Sequence, residues 1–266
     1  MTDSVFSQIH HCYLIKDAAE KALATHAMVA SVRQREFDTA DWLQAPSVHE
    51  PGRPDKPELV NPGSVSKRKL GSPEGRAVLM HAIAHIEFNA INLALDAAQR
   101  FPDMPRQFYL DWLQVADEEA LHFTMIRRHL QSLGYDYGDF TAHSGLWEMA
   151  ENTADDVMVR MALVPRVLEA RGLDVTPGIQ QRLAKVGDQQ AVGMLDVIFR
   201  DEVGHVAIGS RWFKYCCDQR GLDAEPTFFA LVDKYYTGNL HGPFNLDARV
   251  QAGFSDNEIA LLTKDL

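Results

Sequence analysis

The chain has 266 residues, 46% of them hydrophobic, and a formal net charge of −11, which allows one large domain or two small ones with ample apolar material for a core. The acidic balance argues against a nucleic-acid surface, since the most basic stretch, Lys67-Arg68-Lys69, is short and reads as a solvated loop. Cys12, Cys216 and Cys217 are too few and badly placed for a disulfide framework, residues 1–17 hold no secretory leader, and the longest apolar runs fall short of a membrane span, so a cytoplasmic, non-membrane protein is expected.

Residues 15–35 read as a helix, Ala-rich through Ala18, Ala19, Ala22 and Ala24. Across 38–72 the prolines Pro46, Pro51, Pro54, Pro57 and Pro62 come with Gly52 and Gly63, so no long element survives. This stretch is expected to lie on the rest as an extended arm, with Trp42, Leu43, Leu59 and Val60 to bury. Ser72 and Pro73 then open a helix running to Gln99, as N-cap and first helical residue. The face of Glu87 carries Met80, Ile83, Ala84, Ala90, Ile91 and Ala94. A second helix starts at Asp103 and Pro105 and closes on Arg127, Arg128 and His129 before Gly134. Around Glu119 on this helix lie Trp112, Val115, Ala116, His122, Phe123 and Ile126.

A long connection over 135–144 is expected to cross over, with a short helix at 146–150, because a four-helix bundle whose second and third helices run parallel needs one. The third helix is expected over 153–171, bent by Pro165 and ended by Gly172. Thr176-Pro177 would cap the next segment, Gly187-Asp188 would break it, and a fourth helix would reach Arg220. A helix over 226–236, an irregular 238–254 and a last helix opened by Ser255, with Glu258 closing a capping box, complete the reading. The fold expected is all-α, with an N-terminal helix and arm (1–72), a four-helix bundle (73–221) and a C-terminal helical extension (222–266).

Two of these helices carry the same motif. Glu118-Glu119-Ala120-Leu121-His122 and Asp201-Glu202-Val203-Gly204-His205 both read acid-Glu-x-x-His. Residues three apart lie ~60° apart around a helix, so Glu and His project together. Glu87 precedes Glu119, and Glu169 precedes Glu202, at offsets that differ by one residue. Bundles that hold two metal ions use this inventory, one Glu from each of two helices and Glu-x-x-His from each of the others. Glu87, Glu119, His122, Glu169, Glu202 and His205 are therefore the candidate metal ligands and the candidate catalytic groups. Carboxylates and imidazoles suit Fe, Mn or Zn, and four carboxylates neutralise two divalent ions. The competing reading is six unrelated residues in surface salt bridges.

Glu118 and Asp201 are candidates to orient the histidines, since a metal-bound imidazole commonly donates its free N–H to a carboxylate. An exposed carboxylate is the alternative for each. His81 and His85, at ~100° per residue, point about 120° and 160° away from Glu87 and read as packing or surface histidines. Arg166, three residues before Glu169 and on its face, would balance the acids or contact an anionic substrate, with a salt bridge as the default. Gly204 and Gly209 either admit a close helix or leave a channel.

On these motifs the chain resembles the ferritin-like di-metal carboxylate superfamily. More narrowly, Pro165-Arg-Val-Leu-Glu-Ala-Arg-Gly-Leu-Asp174 with Arg200-Asp-Glu-Val-Gly-His-Val206 resembles a bacterial ferritin-like family of undefined function, over residues 70–255. The resemblance implies a ferritin-like four-helix bundle and an O₂- or peroxide-reactive centre of two Fe ions, with Mn, mixed Mn/Fe or bound Zn as variants. The leading expectation is an oxidase or oxygenase acting on a small molecule, with an electron donor, as a monomer or homodimer. An iron-storage protein and a non-redox interaction module are the competing classes.

Overall fold

The computed structural model describes residues 4–34, 36–44, 50–65, 69–236 and 240–263. Pro46 of the arm, Lys67 and Arg68 of the basic run, and Gly238 lie outside the described residues, as does the side chain of Leu43. Among the described residues the chain is all-helical, with one isolated bridge between Leu59 and Ala142 and no strand. It divides into two compact units, Met1–Trp147 and Glu148–Leu266, a division that cuts through the span expected for the bundle.

In the first unit, Ser4 caps α1 (Val5–Leu14), where Val5, Phe6, Ile9, Cys12 and Tyr13 recur at helical spacing and are buried. Asp17 caps α2 (Ala18–Val32), so the helix expected from residue 15 begins later and a preceding helix was overlooked. In the described part of the arm only the short turns Thr39–Gln44 and Pro62–Ser64 are regular. Leu59, expected to bury, is 44% exposed. Hydrogen bonds hold the arm, most of them from its backbone: Gly52 N donates to Tyr13 O at 2.9 Å, Val60 N to Ala142 O at 2.8 Å and Ala142 N to Glu58 O at 3.0 Å, while Trp42 Nε1 donates to Gln99 O at 2.7 Å. At Gly52 a Cβ would overlap the carbonyls of Leu14 and Ile15, so only glycine allows this approach.

One buried cation ties these pieces together. Lys21, fully buried, donates to Tyr13 O at 2.7 Å, to Gly52 O at 2.8 Å and to Asn92 Oδ1. An ammonium has three N–H groups, and each has found an oxygen on a different segment. Burial pushes its pKa down to about 7; the Cys12 thiol pulls the other way and Arg53 adds to the lowering.

Ser72 Oγ accepts from Gly75 N at 3.0 Å and opens α3 (Pro73–Arg100), a cap worth ~1 kcal/mol. A short loop, 101–105, leads into α4 (Arg106–Ser132), which packs back along α3 as an antiparallel partner. By length and composition α3 could cross a membrane, beyond what the sequence suggested, but 83% of its apolar window is buried inside the protein. Helix α5 (Gly145–Asn152) spans the division between the units.

The second unit departs from expectation where prolines fall. α6 (Val157–Leu163) runs into a π-helical segment, Val164–Glu169, and on into α7 (Ala170–Lys185). The helix neither ends at Gly172 nor restarts at Thr176-Pro177. Pro165 lacks an N–H, and the chain takes up the lost bond by widening to a π turn instead of a simple bend. Pro177 would leave Leu173 O without its helical donor, but Asn245 Nδ2 donates to it at 3.3 Å, so the helix continues. Asp188 caps α8 (Gln189–Gln219), followed by α9 (Ala224–Tyr235). An unexpected α10 (Leu246–Gln251), too short for its periodicity to show, precedes α11 (Asp256–Leu262) with the foreseen Ser255–Glu258 capping box.

Lys21→Met should lower the unfolding free energy by about 2–4 kcal/mol, since buried oxygens lose their donor. Urea unfolding measures this, and an unchanged stability would contradict the role assigned to the cation. Between pH 7 and 9, unfolding takes up a proton at Lys21, whose ordinary value is 10.5 and folded value about 7. The stability difference between wild type and Lys21→Met should therefore change with pH by up to ~1.4 kcal/mol per unit in favour of wild type, whatever slope the other groups impose on both. Above pH 9 the Cys12 thiol, raised by burial from 9.0 to about 11, acts in the opposite direction.

Candidate metal centre

Helical spacing alone places Glu119 and His122 on one face of α4, and the antiparallel packing of α3 brings Glu87 to meet them. Glu87 is 3% exposed, while Glu119 and His122 are fully buried. His122 Nδ1 lies 3.3 Å from Glu87 Oε2 and 3.4 Å from Glu119 Oε2. One ligand atom from each of the three falls within 4.8 Å of the others. The trio is not a well-satisfied salt bridge: the 3.3 Å approach of His122 Nδ1 to Glu87 Oε2 is too poorly aligned to satisfy that buried oxygen. Burial pushes the Glu87 carboxyl up to about 8, and the Glu119 charge raises it further against the pull of His122. For His122 burial alone would lower the imidazole, but hydrogen bonds and charge from Glu119 and Glu87 overcome it, so the net shift is upward. Two carboxylates and an imidazole, crowded in apolar surroundings with a lone pair unused, offer the donor set and geometry for a divalent ion.

In the second unit α8 presents the matching pair. His205 is buried, and its Nδ1 lies 3.8 Å from Glu202 Oε2, whose side chain is 12% exposed. Glu169 ends the π segment, half-buried, and among the described residues it completes no mutual 4.8 Å trio. The structure thus brings Glu87, Glu119 and His122 together, pairs Glu202 with His205, and leaves Glu169 apart from such a group.

Glu118 accepts from Gln114 Nε2 at 3.0 Å, and Asp201 pairs with Arg200 at 2.9 Å. His81 and His85 are packing residues as expected. Both stack on Tyr137; His85 Nε2–H donates to His143 O at 3.0 Å and its Nδ1 accepts from Tyr137 Oη at 2.9 Å. Burial holds both imidazoles down at about 4, hence neutral near pH 7. Cys216 and Cys217 are buried helix thiols.

Arg166 takes the default assigned to it, a buried ion pair at 2.6 Å with Glu258 of α11. The π turn explains why it leaves Glu169's face: with i→i+5 bonding, residues three apart no longer stack as in an α-helix. Its partner Glu258 was legible only as a capping residue. Of the two α8 glycines, Gly209 admits a close approach, since a Cβ there would overlap the Pro165 ring, whereas Gly204 faces open space.

Residues 14–260 match the family described as "Protein of unknown function (DUF455)", and the chain belongs to that family. It is 54% identical over 213 residues, 77% of this chain and 74% of the other, to a Haemophilus influenzae protein described as uncharacterized. No solved structure matches it.

Metal ligands must shed their protons, and the first-unit trio holds protons near neutrality. Metal uptake at pH 7 should therefore release at least one proton per ion bound there, and apparent affinity should rise with pH through neutrality. Calorimetric titration with Mn(II) in buffers of different ionisation enthalpy reads the proton count. A count of zero would contradict the assigned protonation.

Proposed function

We propose that this family member is a di-metal carboxylate protein, with two iron ions held by Glu87, Glu119, His122, Glu169, Glu202 and His205. Mn or a mixed Mn/Fe pair suits the same donors, and Zn is a plausible occupant of purified protein. The observation that carries the reading is the buried trio Glu87, Glu119 and His122, two acids and one imidazole with an unsatisfied carboxylate oxygen. Supporting it, the second Glu-x-x-His repeats the face-to-face geometry of the first. This reading takes the long helices of the two units as the halves of a ferritin-like four-helix bundle, on the strength of the ligand order in the chain.

Iron in its ferrous state would supply electrons to O₂, which makes an oxidase or oxygenase of a small molecule the reading favoured here. The chain's own residues set the conditions. The four carboxylates would neutralise the ions, and His122 and His205 would ligate as neutral imidazoles. Phe88 and Phe123, the sequence neighbours of Glu87 and His122, are buried with ring centroids 5.8 Å apart and add to the apolar interior of the first unit. Glu118 and Asp201 are assigned to hold the imidazoles in orientation. An electron donor, a cytoplasmic location and a monomeric or homodimeric state complete the proposal.

Glu119→Ala and Glu202→Ala should each abolish stoichiometric iron binding and any O₂ consumption after anaerobic ferrous loading, as followed by elemental analysis and an oxygen electrode. Full occupancy in either variant would remove that residue from the ligand set. Sedimentation should show one or two chains per particle; a many-subunit cage would favour iron storage instead.

A further inference from the structure

Glu169 owes its position to a segment that is not self-supporting. π turns are rare and short, and the one ending at Glu169 is gripped on both sides by the end of the chain. Upstream, the Pro165 ring seats against α8 where Gly209 has no Cβ. The neighbouring Arg166 donates through Nη2 to Glu258 Oε1 at 2.6 Å and through Nε to Ser210 Oγ at 3.2 Å. Its guanidinium lies 5.0, 4.2 and 4.6 Å from the ring centroids of Phe213, Phe228 and Phe254. Glu258 is itself fixed, its Oε2 accepting from Ser255 N at 2.9 Å.

Downstream of Glu169 the same tail takes hold again. Arg171 Nη1 donates to His241 O at 2.8 Å and Pro243 O at 3.2 Å. Asn245 fills the bond that Pro177 leaves open at Leu173 O, and its own N–H donates to Asp174 Oδ1 at 2.9 Å. Arg249 forks onto Asp174 at 3.0 and 2.7 Å. A tail needed only to cover apolar surface would not require two buried ion pairs placed on either side of one half-buried carboxylate.

We propose that the C-terminal segment 240–263 is a strap that positions Glu169, with Arg166 and Glu258 as its positioning residues and Gly209 as the seat of the π turn. The proposal rests on the reading of Glu169 as a metal ligand. Arg166 itself stays away from substrate, held by Glu258 and the three rings. Loss of the strap should act on the ion that Glu169 ligates more than on the other.

The test is calorimetric titration of the full chain with Co(II), together with visible absorption, for wild type, Glu258→Gln, Gly209→Ala and Glu169→Ala. Wild type should take up two ions. Both strap variants should weaken one of them by about 10–100-fold, as expected for groups that orient a ligand, and reproduce the pattern of Glu169→Ala with the second ion unaffected. Gly209→Ala removes neither partner of the ion pair and disturbs the π turn from its other side, so it reports even if Glu258→Gln folds poorly. Wild-type affinities for both ions in the strap variants, or equal weakening of both ions in step with lost helicity, would overturn the positioning role and leave the di-metal reading standing. Failure of wild type to take up metal would overturn both.

Discussion

Two carboxylates cannot both stay ionised side by side in an apolar interior unless a cation joins them, and the first unit is built around that constraint. Glu87 and Glu119 share one buried pocket of side chains with a single imidazole between them. A proton on Glu87 relieves part of the repulsion, which is why its pKa rises, but leaves an oxygen without a well-aligned partner. A divalent ion would answer both the charge and the lone pair. Two buried cations elsewhere are handled differently, which sets the trio apart. Lys21 is met by three neutral oxygens, and Arg166 by one acid and three aromatic faces.

Two helix prolines, Pro165 and Pro177, shape the second unit, and each is answered by a specific contact. Pro165 costs a helical hydrogen bond, and the chain widens into a π turn that Gly209 makes room for. Pro177 costs another, and Asn245 supplies the missing donor from far along the chain. Breaking a buried ion pair such as Arg166–Glu258 on one side typically costs ~3–5 kcal/mol, because an uncompensated charge is left inside. The tail is therefore part of the unit's fold, and it grips the helix next to a candidate ligand.

Much of this could be read in advance where the signal is periodic and local. The long helices, the cap at Ser72, the closing capping box and the face shared by Glu119 and His122 follow from spacing and capping chemistry. The buried trio was legible because helical periodicity put a lone Glu87 in an apolar stripe, where it needed a partner. What escaped depends on residues distant in sequence. Gly172 and Pro177 read as helix breakers because nothing near them announces Asn245 as a substitute donor. Arg166 was placed on Glu169's face because a regular helix was assumed through Pro165. Leu59 looked like buried arm material, whereas the arm is held by Gly52, Val60 and Lys21 through backbone oxygens and N–H groups, which side-chain hydropathy does not report. Helix α1 carried a clear apolar spacing that went unused.

The central claim is that the buried carboxylates and histidines exist to hold metal. Elemental analysis of untagged protein, as purified and after anaerobic ferrous loading, with absorption spectra before and after O₂, tests it most directly. The account predicts about two iron or manganese ions per chain and, for iron, a new near-ultraviolet absorption once O₂ is admitted. Protein that stays empty of metal after loading would contradict it.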